Sequence, residues 1–365
     1  MRRTPAARPP RRRRAPADFP CEVSAWRLVY PTMLDNVGVL LPQRGALLDR
    51  LSTDDLLMLA ETIDTTNGLD SIWVGDSLTA QPRADSLTLL GALAGRTRRV
   101  RLGVACMASF PVRDPAVFAY QWASLDRLSG GRMTLAVCTG LVGDGASARE
   151  GAHWGIPDRE RAVRMGENLE LCRRLWTGDE LDFAGQFVRY NGIRIQPTPV
   201  QAPCPVFIAA NPWQPKFAER ALRRVAELAD GWMTASSWPG LVAGLAPLLR
   251  AALIDAGRAP ETFPVAFLHN VAIGPDRAEC LDGAARFIAE HEEYQGTPAE
   301  MVEAWTAAGP PERCAADLQA LVDTAAGLGP VTLVLRLTSW DQRTQLTRLI
   351  EDVLPLIRIP AEIRP

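Results

Sequence analysis

Eight short apolar segments alternate with amphipathic segments along this chain, and this alternation limits the folds that the chain can adopt. Each apolar segment has the length of a β-strand and is rich in valine, leucine and isoleucine. Their hydrophobicity is continuous rather than alternating, which indicates strands that are buried on both faces, as in parallel sheets. The segments are residues 37–41, 71–75, 100–106, 133–138, 206–210, 231–235, 265–273 and 331–337.

Helical patterns fill the intervals between these strands. Ser52 begins a sequence that resembles a capping box, and Asp114 followed by Pro115 predicts an N-cap and a first-turn proline. Eight strand and helix units in little more than 300 residues predict an α/β fold of the (β/α)8, or TIM barrel, type. The predicted helices are residues 52–67, 85–97, 114–129, 158–177, 215–229, 240–256, 277–291, 312–326 and 342–356.

Two segments do not fit the repeat, namely residues 181–205 and 294–311. We expect both to be insertions at the carboxyl-terminal mouth of the barrel, where enzymes of this fold keep their active sites. No linker rich in proline and serine divides residues 34–365, so we predict one barrel domain.

Residues 1–33 differ from the rest of the chain. The first sixteen include seven arginines, four prolines and no acidic residue, a composition that cannot bury enough apolar area to fold. We expect a disordered basic leader upstream of a natural start at Met33. An arm that contacts RNA or another polyanion is the alternative.

Charge and cysteine content exclude several classes of protein. A net charge of -2 provides no field for nucleic acid, and no apolar run approaches the roughly 18 residues that span a bilayer. The seven cysteines are scattered, without a C-x-x-C pair, so we expect buried thiols in a reducing cytoplasm and no metal site.

The fourth strand ends in small or polar residues, although a core would favour larger ones. Cys138, Thr139 and Gly140 stand at the end that faces the ligand in a barrel, where they leave room for a flat ring system. Tight packing explains such residues equally well. The third strand shows the same pattern, with Gly103, Ala105, Cys106 and Ala108.

Several motifs together resemble the bacterial luciferase-like flavin-dependent oxidoreductases. They are "GLDSIWVGDS", "LLGALAGRTRRVRLGVA", "PVRDPAVFAYQWASLDRLSGGRMTLAVCTG", "NLELCRRLWTGDELDFAGQFV", "PTPVQAPCPVFIAA" and "ELADGWM", in the order and spacing of that family. The resemblance extends from about residue 37 to residue 356, and the central "LDRLSGGR" is its most specific part.

The resemblance implies a barrel that holds reduced FMN or the deazaflavin coenzyme F420 at its mouth. It places a non-prolyl cis peptide, on which the central ring rests, between Ala105 and Cys106. The residues implied to contact the edge of the cofactor ring and its ribityl chain are Cys138, Thr139 and Gly140. The implied phosphate seat after the fifth strand is formed by Ala210, Asn211 and Gln214, where free N–H groups at a helix start can hold an anion.

Three positions depart from the family pattern. Many members have a histidine after the acidic residue of strand two, whereas this chain has Ser77 after Asp76. Thr139 replaces an arginine that contacts the phosphate in luciferase-type members, and "AANPW" replaces the usual Gly-Gly-x-Ser. The details of cofactor binding and proton transfer are therefore open.

Catalytic groups remain to be assigned among a few candidates. Asp76 and Ser77 occupy the positions of the family's acid or base, and His153 lies in the segment after strand four. A solvated loop histidine is the alternative for His153. Three further residues have a packing alternative to a ligand contact: His269, Arg336 and Trp232.

These observations predict an oxidoreductase that presents a reduced flavin-type cofactor to a small organic substrate. Hydride transfer from reduced F420 is favoured, because the missing arginine and histidine fit oxygen chemistry poorly. The alternatives are an FMN-dependent monooxygenase and a non-catalytic barrel subunit. We expect a cytoplasmic homodimer without nucleic-acid or membrane partners.

Overall fold

The strands form a closed parallel barrel, which confirms the predicted fold. The computed structural model describes residues 36–140, 145–212, 215–291 and 297–357. The predicted leader, residues 1–33, lies outside the described residues. Each strand pairs in parallel with the next, and the last pairs with the first. In chain order they are β1 (Asn36–Leu40), β2 (Ser71–Val74), β3 (Arg101–Met107), β4 (Met133–Val137), β7 (Val206–Ala209), β8 (Gly231–Thr234), β9 (Val265–Ile273) and β11 (Val331–Leu337).

Helices surround the barrel close to the predicted positions. The Ser52 side chain accepts from the Asp55 N–H, and the Asp55 carboxylate accepts from the Ser52 N–H, so the capping box is present. Asp114 caps α3 as predicted. The helices are α1 (Thr53–Thr65), α2 (Ser86–Arg96), α3 (Pro115–Ser129), α4 (Gly145–His153), α5 (Asp158–Leu175), α6 (Pro215–Leu228), α7 (Pro239–Asp255), α8 (Arg277–His291), α9 (Ala299–Ala304), α10 (Pro311–Asp323) and α11 (Gln342–Arg348). None of them is both long and apolar enough to cross a bilayer.

A layer of bulky side chains fills the barrel beneath its mouth. Trp73 and Phe207 pack there against smaller apolar residues from the other strands. Gly103 is required by this packing, because a Cβ atom at Gly103 would lie 2.3 Å from the Trp73 ring. Gly103 is therefore small because the Trp73 ring packs against it in the core, whereas Ala105, two residues later, lines the cavity above.

The first insertion, residues 181–205, lies at the amino-terminal end of the barrel, opposite to the predicted mouth. It contains an antiparallel hairpin of β5 (Leu181–Ala184) and β6 (Arg189–Ile193). Its last part contacts strand beginnings: Gln201 donates to the carbonyl of Met133, the first residue of β4, and accepts from Arg101, the first of β3. A segment that follows a helix and precedes a strand starts and ends at the amino-terminal face, so the prediction of a mouth position was wrong.

The second insertion lies at the mouth, as predicted. It contributes α9 and a short strand, β10 (Thr306–Gly309), which pairs with the second half of β9. Because β8 pairs only with the first residues of β9, β10 extends the barrel wall beyond β8. Thr297, Pro298, Met301 and Trp305 from this insertion line the cavity.

Candidate active site

A cavity of about 830 Å3 opens at the carboxyl ends of the strands. Its volume is at the upper end of the range for small-molecule sites, which is large enough for a tricyclic ring and a substrate side by side. One wall consists of the ends of β3, β4 and β7, and the opposite wall consists of β9, β11 and the second insertion. The cavity therefore has two walls that come from different halves of the chain.

The first wall consists of small residues at the places that the family resemblance assigned to the ring. The peptide between Ala105 and Cys106 is cis, which confirms the prediction. The pairing of β3 with β4 shifts register between Val104 and Met107, so the chain bulges there. Three residues after β4 complete this wall: Cys138, Thr139 and Gly140.

Gly140 has a backbone conformation that favours glycine. Its φ is +72°, and a Cβ atom would lie 2.7 Å from a guanidinium nitrogen of Arg161. Arg161 is buried beneath the wall and donates to the carbonyl oxygens of Ser147 and Ala108. The end of β4 therefore packs directly on a buried cation.

Asp76 and Ser77, the candidate acid–base positions, are held by protein groups. Asp76 accepts hydrogen bonds from the Ser86 hydroxyl and the Ser109 N–H and forms an ion pair with Arg113. These contacts fasten the end of β2 to the residues that follow β3. Ser77 accepts from the Gln81 N–H and donates to a carboxylate of α4. Both residues line the cavity, and their part in catalysis stays a prediction.

That carboxylate belongs to Glu150, a residue that the sequence reasoning did not single out. Its Oε2 accepts from the N–H groups of Leu78, Thr79 and Ala80 at 2.6 to 2.9 Å. Its Oε1 lies 3.9 Å from Arg161, and both side chains are only 1% exposed. Glu150 thus joins the loop after β2 to the base of the β4 wall.

The predicted phosphate seat is described in part. Ala210 and Asn211 line the cavity, whereas Gln214 lies outside the described residues. The Asn211 Oδ1 accepts from the Thr234 hydroxyl and the Ala235 N–H. Because the amide oxygen accepts hydrogen bonds from the end of β8, the amide nitrogen is the atom of this side chain that can donate to an anion.

Three arginines line the cavity: Arg83, Arg224 and Arg336. Burial lowers the pKa of Arg224, which stands on the third turn of α6, but the guanidinium remains charged. The Arg336 Nε donates to Asn270 at 2.8 Å, and its guanidinium lies over the Trp305 ring. Asp76 and Glu150 are the carboxylates that line the cavity among the described residues, and both are engaged by protein donors. The described lining therefore suits anionic ligands.

Two other candidates, Trp232 and His153, are not among the residues that line the cavity. Trp232 is buried, donates to the Ala210 carbonyl and packs against Phe267, so its role is packing. His153 is exposed at the end of α4, with its Nδ1 3.3 Å from the Thr79 hydroxyl. A catalytic role of His153 stays a prediction.

His269 lies behind the barrel wall. Its neighbour Leu268 faces the barrel interior, and side chains alternate along a strand, so His269 faces the helices. The imidazole Nδ1 lies 2.9 Å from the Ser237 hydroxyl. Burial, together with the charge of Arg336, lowers the pKa of His269 to about 4.

This depressed pKa predicts a loss of stability in acid. The unfolded histidine titrates near 6.5, so between about pH 6.5 and pH 4 the unfolded state binds the proton more readily and stability falls as pH falls. We expect the free energy of unfolding to lose about 2 kcal/mol from this group between pH 7.5 and pH 5. Urea unfolding of a His269→Leu variant should show a flatter pH dependence, and His153→Leu, altered at an exposed position, should match the parent. Equal slopes for His269→Leu and the parent contradict the assignment.

Comparison with known proteins agrees with this geometry. Residues 36–335 match the family model described as luciferase-like monooxygenase. The chain belongs to the luciferase-like monooxygenase family. It is therefore an oxidoreductase of the luciferase-like type, as the motifs predicted.

Proteins similar to this luciferase-like chain in sequence or in fold are named or solved with different cofactors. A protein of Amycolatopsis mediterranei named F420-dependent glucose-6-phosphate dehydrogenase is 29% identical over 322 residues, which cover 80% of this chain and 91% of that protein. An F420-dependent secondary alcohol dehydrogenase, solved with an F420-acetone adduct, has a TM-score of 0.73 at 16% identity and covers 89% of this chain and 100% of its own. The oxygenating constituent of 3,6-diketocamphane monooxygenase from Pseudomonas putida, solved with FMN, has a TM-score of 0.69 at 15% identity over 89% of this chain and 99% of its own. The two structures share the fold of this chain.

Proposed function

We propose that this protein uses reduced coenzyme F420 to transfer a hydride to a small organic substrate. The observation that carries the proposal is the wall of small residues at the ends of β3 and β4, beside a cavity of about 830 Å3. The F420-dependent relative that aligns with 80% of the chain supports the choice of cofactor. The absence of an arginine at Thr139 supports the same choice.

The described residues fit a flat cofactor with an anionic side chain. Ala105, Cys106 and Cys138 leave space for a ring, because none of these side chains is larger than that of cysteine. Asn211 and Arg224 line the same cavity and provide a donor and a positive charge. A phosphate or carboxylate in this cavity therefore meets partners that offset its loss of hydration.

The protein's own residues provide binding, orientation and exclusion of water. When bound, the reduced deazaflavin supplies the hydride. Trp73 and Phe207 close the barrel below the seat, so water cannot approach from beneath. Arg336 and Trp305 on the opposite wall offer a hydrogen-bond donor and an apolar face for a substrate. Asp76 holds the end of β2 against the segment after β3 and thus acts as a positioning residue.

A second candidate, an FMN-dependent monooxygenase, is favoured by the FMN-bound neighbour at a TM-score of 0.69. The same wall and the same cations suit FMN, which also carries a phosphate. The open, cation-lined cavity argues against the remaining alternative, a non-catalytic subunit.

Titration of the purified protein with F420 and with FMN tests the proposal. We expect F420 to saturate and FMN to bind at least about tenfold more weakly, a difference of about 1.4 kcal/mol. Saturation by FMN alone contradicts the proposal and favours the monooxygenase.

The variant Arg224→Gln tests how the anionic side chain is held. Loss of a charge-assisted contact should weaken F420 about tenfold, whereas riboflavin, which has no phosphate, should bind parent and variant equally. Arg223→Gln, one residue earlier at an exposed position of α6, is the matched control. An unchanged F420 affinity in Arg224→Gln places the anionic group elsewhere.

We also propose that the protein is a homodimer. Val117, Tyr120 and Leu128 lie on one face of α3 and are 56%, 48% and 71% exposed. An apolar stripe of this kind favours contact with a second copy. Sedimentation equilibrium of Leu128→Glu should then show a shift to monomer, and an unchanged mass contradicts this interface.

The cytoplasm is the location that we propose. The six cysteines that the structure describes are free thiols, as expected in a reducing compartment. Recovery of activity from a cytoplasmic fraction tests this proposal, and recovery from the medium contradicts it.

A further inference from the structure

Two thiols of the cavity wall touch each other. The Sγ atoms of Cys106 and Cys138 are 2.6 Å apart, at the end of β3 and just after β4. A disulfide bond is about 2.05 Å long, so the two sulfurs need to approach by only about half an ångström to reach it. The proposed hydride transfer does not use the chemistry of this pair.

The backbone around the pair places the end of β3 beside the end of β4. The Cys138 N–H donates to the Met107 carbonyl, and Met107 pairs with Val137 in the parallel register. Cys106 lies in the bulge just before Met107, and its side chain reaches across to Cys138. The contact between the two sulfurs is therefore the observation that makes a covalent link possible.

Contact with the cavity distinguishes this pair from Cys172 and Cys314, although Cys138 is only 7% exposed. Cys106 and Cys138 both line the cavity, so a small solute can reach them through the mouth. Cys172 and Cys314 are fully buried, and their thiols donate to backbone carbonyl oxygens. An oxidant in the cavity thus meets the paired thiols first.

We propose that Cys106 and Cys138 are a reversible thiol–disulfide pair that hydrogen peroxide oxidises when the cavity holds no cofactor. One sulfur attacks the peroxide, the O–O bond breaks, and a sulfenic acid and water form. The second sulfur then attacks the sulfenic sulfur, an S–S bond forms, and a second water leaves with the remaining thiol proton. Two thiols and one hydrogen peroxide thus yield one disulfide and two water molecules.

Either thiol of the pair can make the first attack. The hydrogen bond to Cys138, followed by burial, raises the pKa of Cys106 well above its usual range, whereas Cys106 is the more exposed of the two residues. The thiol that has not reacted then resolves the sulfenic acid. The resulting link joins the bulge of β3 to β4.

Shielding by a ligand follows from the same geometry, and this part rests on the proposed function. A ring seated on the β3 and β4 wall covers both sulfurs. At a cofactor concentration ten times the Kd, we expect the link to form about tenfold more slowly.

Peroxide treatment of the reduced, full-length protein, followed by peptide mass spectrometry, tests the proposal. We expect a cross-linked peptide pair that contains Cys106 and Cys138, has lost two hydrogen atoms, and separates on addition of dithiothreitol. Cys172→Ser should still form the link. Cys106→Ser and Cys138→Ser should not form it, and the lone Cys138 should reach the sulfenic or sulfinic acid.

Two results overturn the proposal: both cysteines remain thiols under peroxide, or both become sulfinic acids without a link. A link that forms equally fast with saturating F420 or FMN supports the thiol chemistry and contradicts the cofactor seat on this wall. The two proposals can therefore fail separately.

Discussion

An Ala209→Trp variant is expected to lose cofactor binding by on the order of 100-fold or more, because the indole fills space that the ring requires. Ala209 is the last residue of β7, faces the barrel interior beside Ala105 and Cys106, and lines the cavity. Its side chain can extend into open volume, so the free energy of unfolding should change by less than about 1 kcal/mol. Fluorescence titration with F420 and urea unfolding measure the two effects.

The control introduces the same side chain at an exposed position. Ala251, on α7, is exposed, so Ala251→Trp should bind cofactor like the parent. Parental affinity in Ala209→Trp means that the ring does not occupy this wall. Weak binding accompanied by a large loss of stability instead shows a collapsed barrel, which circular dichroism detects.

Replacement of Glu150 by alanine should lower the free energy of unfolding by about 3 to 5 kcal/mol. The change leaves the buried Arg161 without its carboxylate and removes the acceptor of three backbone N–H groups between Leu78 and Ala80. The loop after β2 should lose its fixed position as a result. Urea unfolding gives the energy, and limited proteolysis reports on the loop.

Glu160→Ala is the matched control for the charge. Glu160 forms an ion pair with Arg164 one turn away on α5, on a partly exposed surface, and such pairs contribute about 0.3 to 0.5 kcal/mol. Glu150→Gln keeps the shape of the side chain and one acceptor oxygen. Its loss in the free energy of unfolding should lie between those of Glu150→Ala and Glu160→Ala. A loss in Glu150→Ala no larger than in Glu160→Ala contradicts a structural role for this carboxylate.

The barrel could be predicted from the sequence because its strands are continuous apolar runs. Burial on both faces requires such runs, and the segment 265–273 even matches β9 at both ends. The cis peptide at Ala105 and Cys106 came from the family resemblance, since no local physical signal marks it. The sequence alone could not show that Gly103 packs in the core and Ala105 lines the cavity, because tight packing and an open cavity both require small residues.

The prediction that the first insertion lies at the mouth was wrong for a different reason. The segment does not fit the strand–helix repeat, which suggested a position at the active-site mouth, but the direction of the chain decides the face. Residues 176–205 lead from the end of α5 to the start of β7 and therefore lie at the amino-terminal face. Glu150 also gave no signal, because its partners are backbone groups about 70 residues away and a buried charge resembles a surface one in sequence.

The insertion that carries α9 and β10 separates two tasks along the chain. The ends of β3, β4 and β7, between residues 105 and 211, build the wall proposed for the cofactor, whereas residues 268–336 build the opposite wall, with Arg336, Trp305 and Met301. Among the described strands β10 pairs with β9 alone, and neither α9 nor β10 contributes a residue to the first wall. Descendants of such a barrel can acquire new substrates by recombination or point changes in one gene segment and still inherit an intact redox centre.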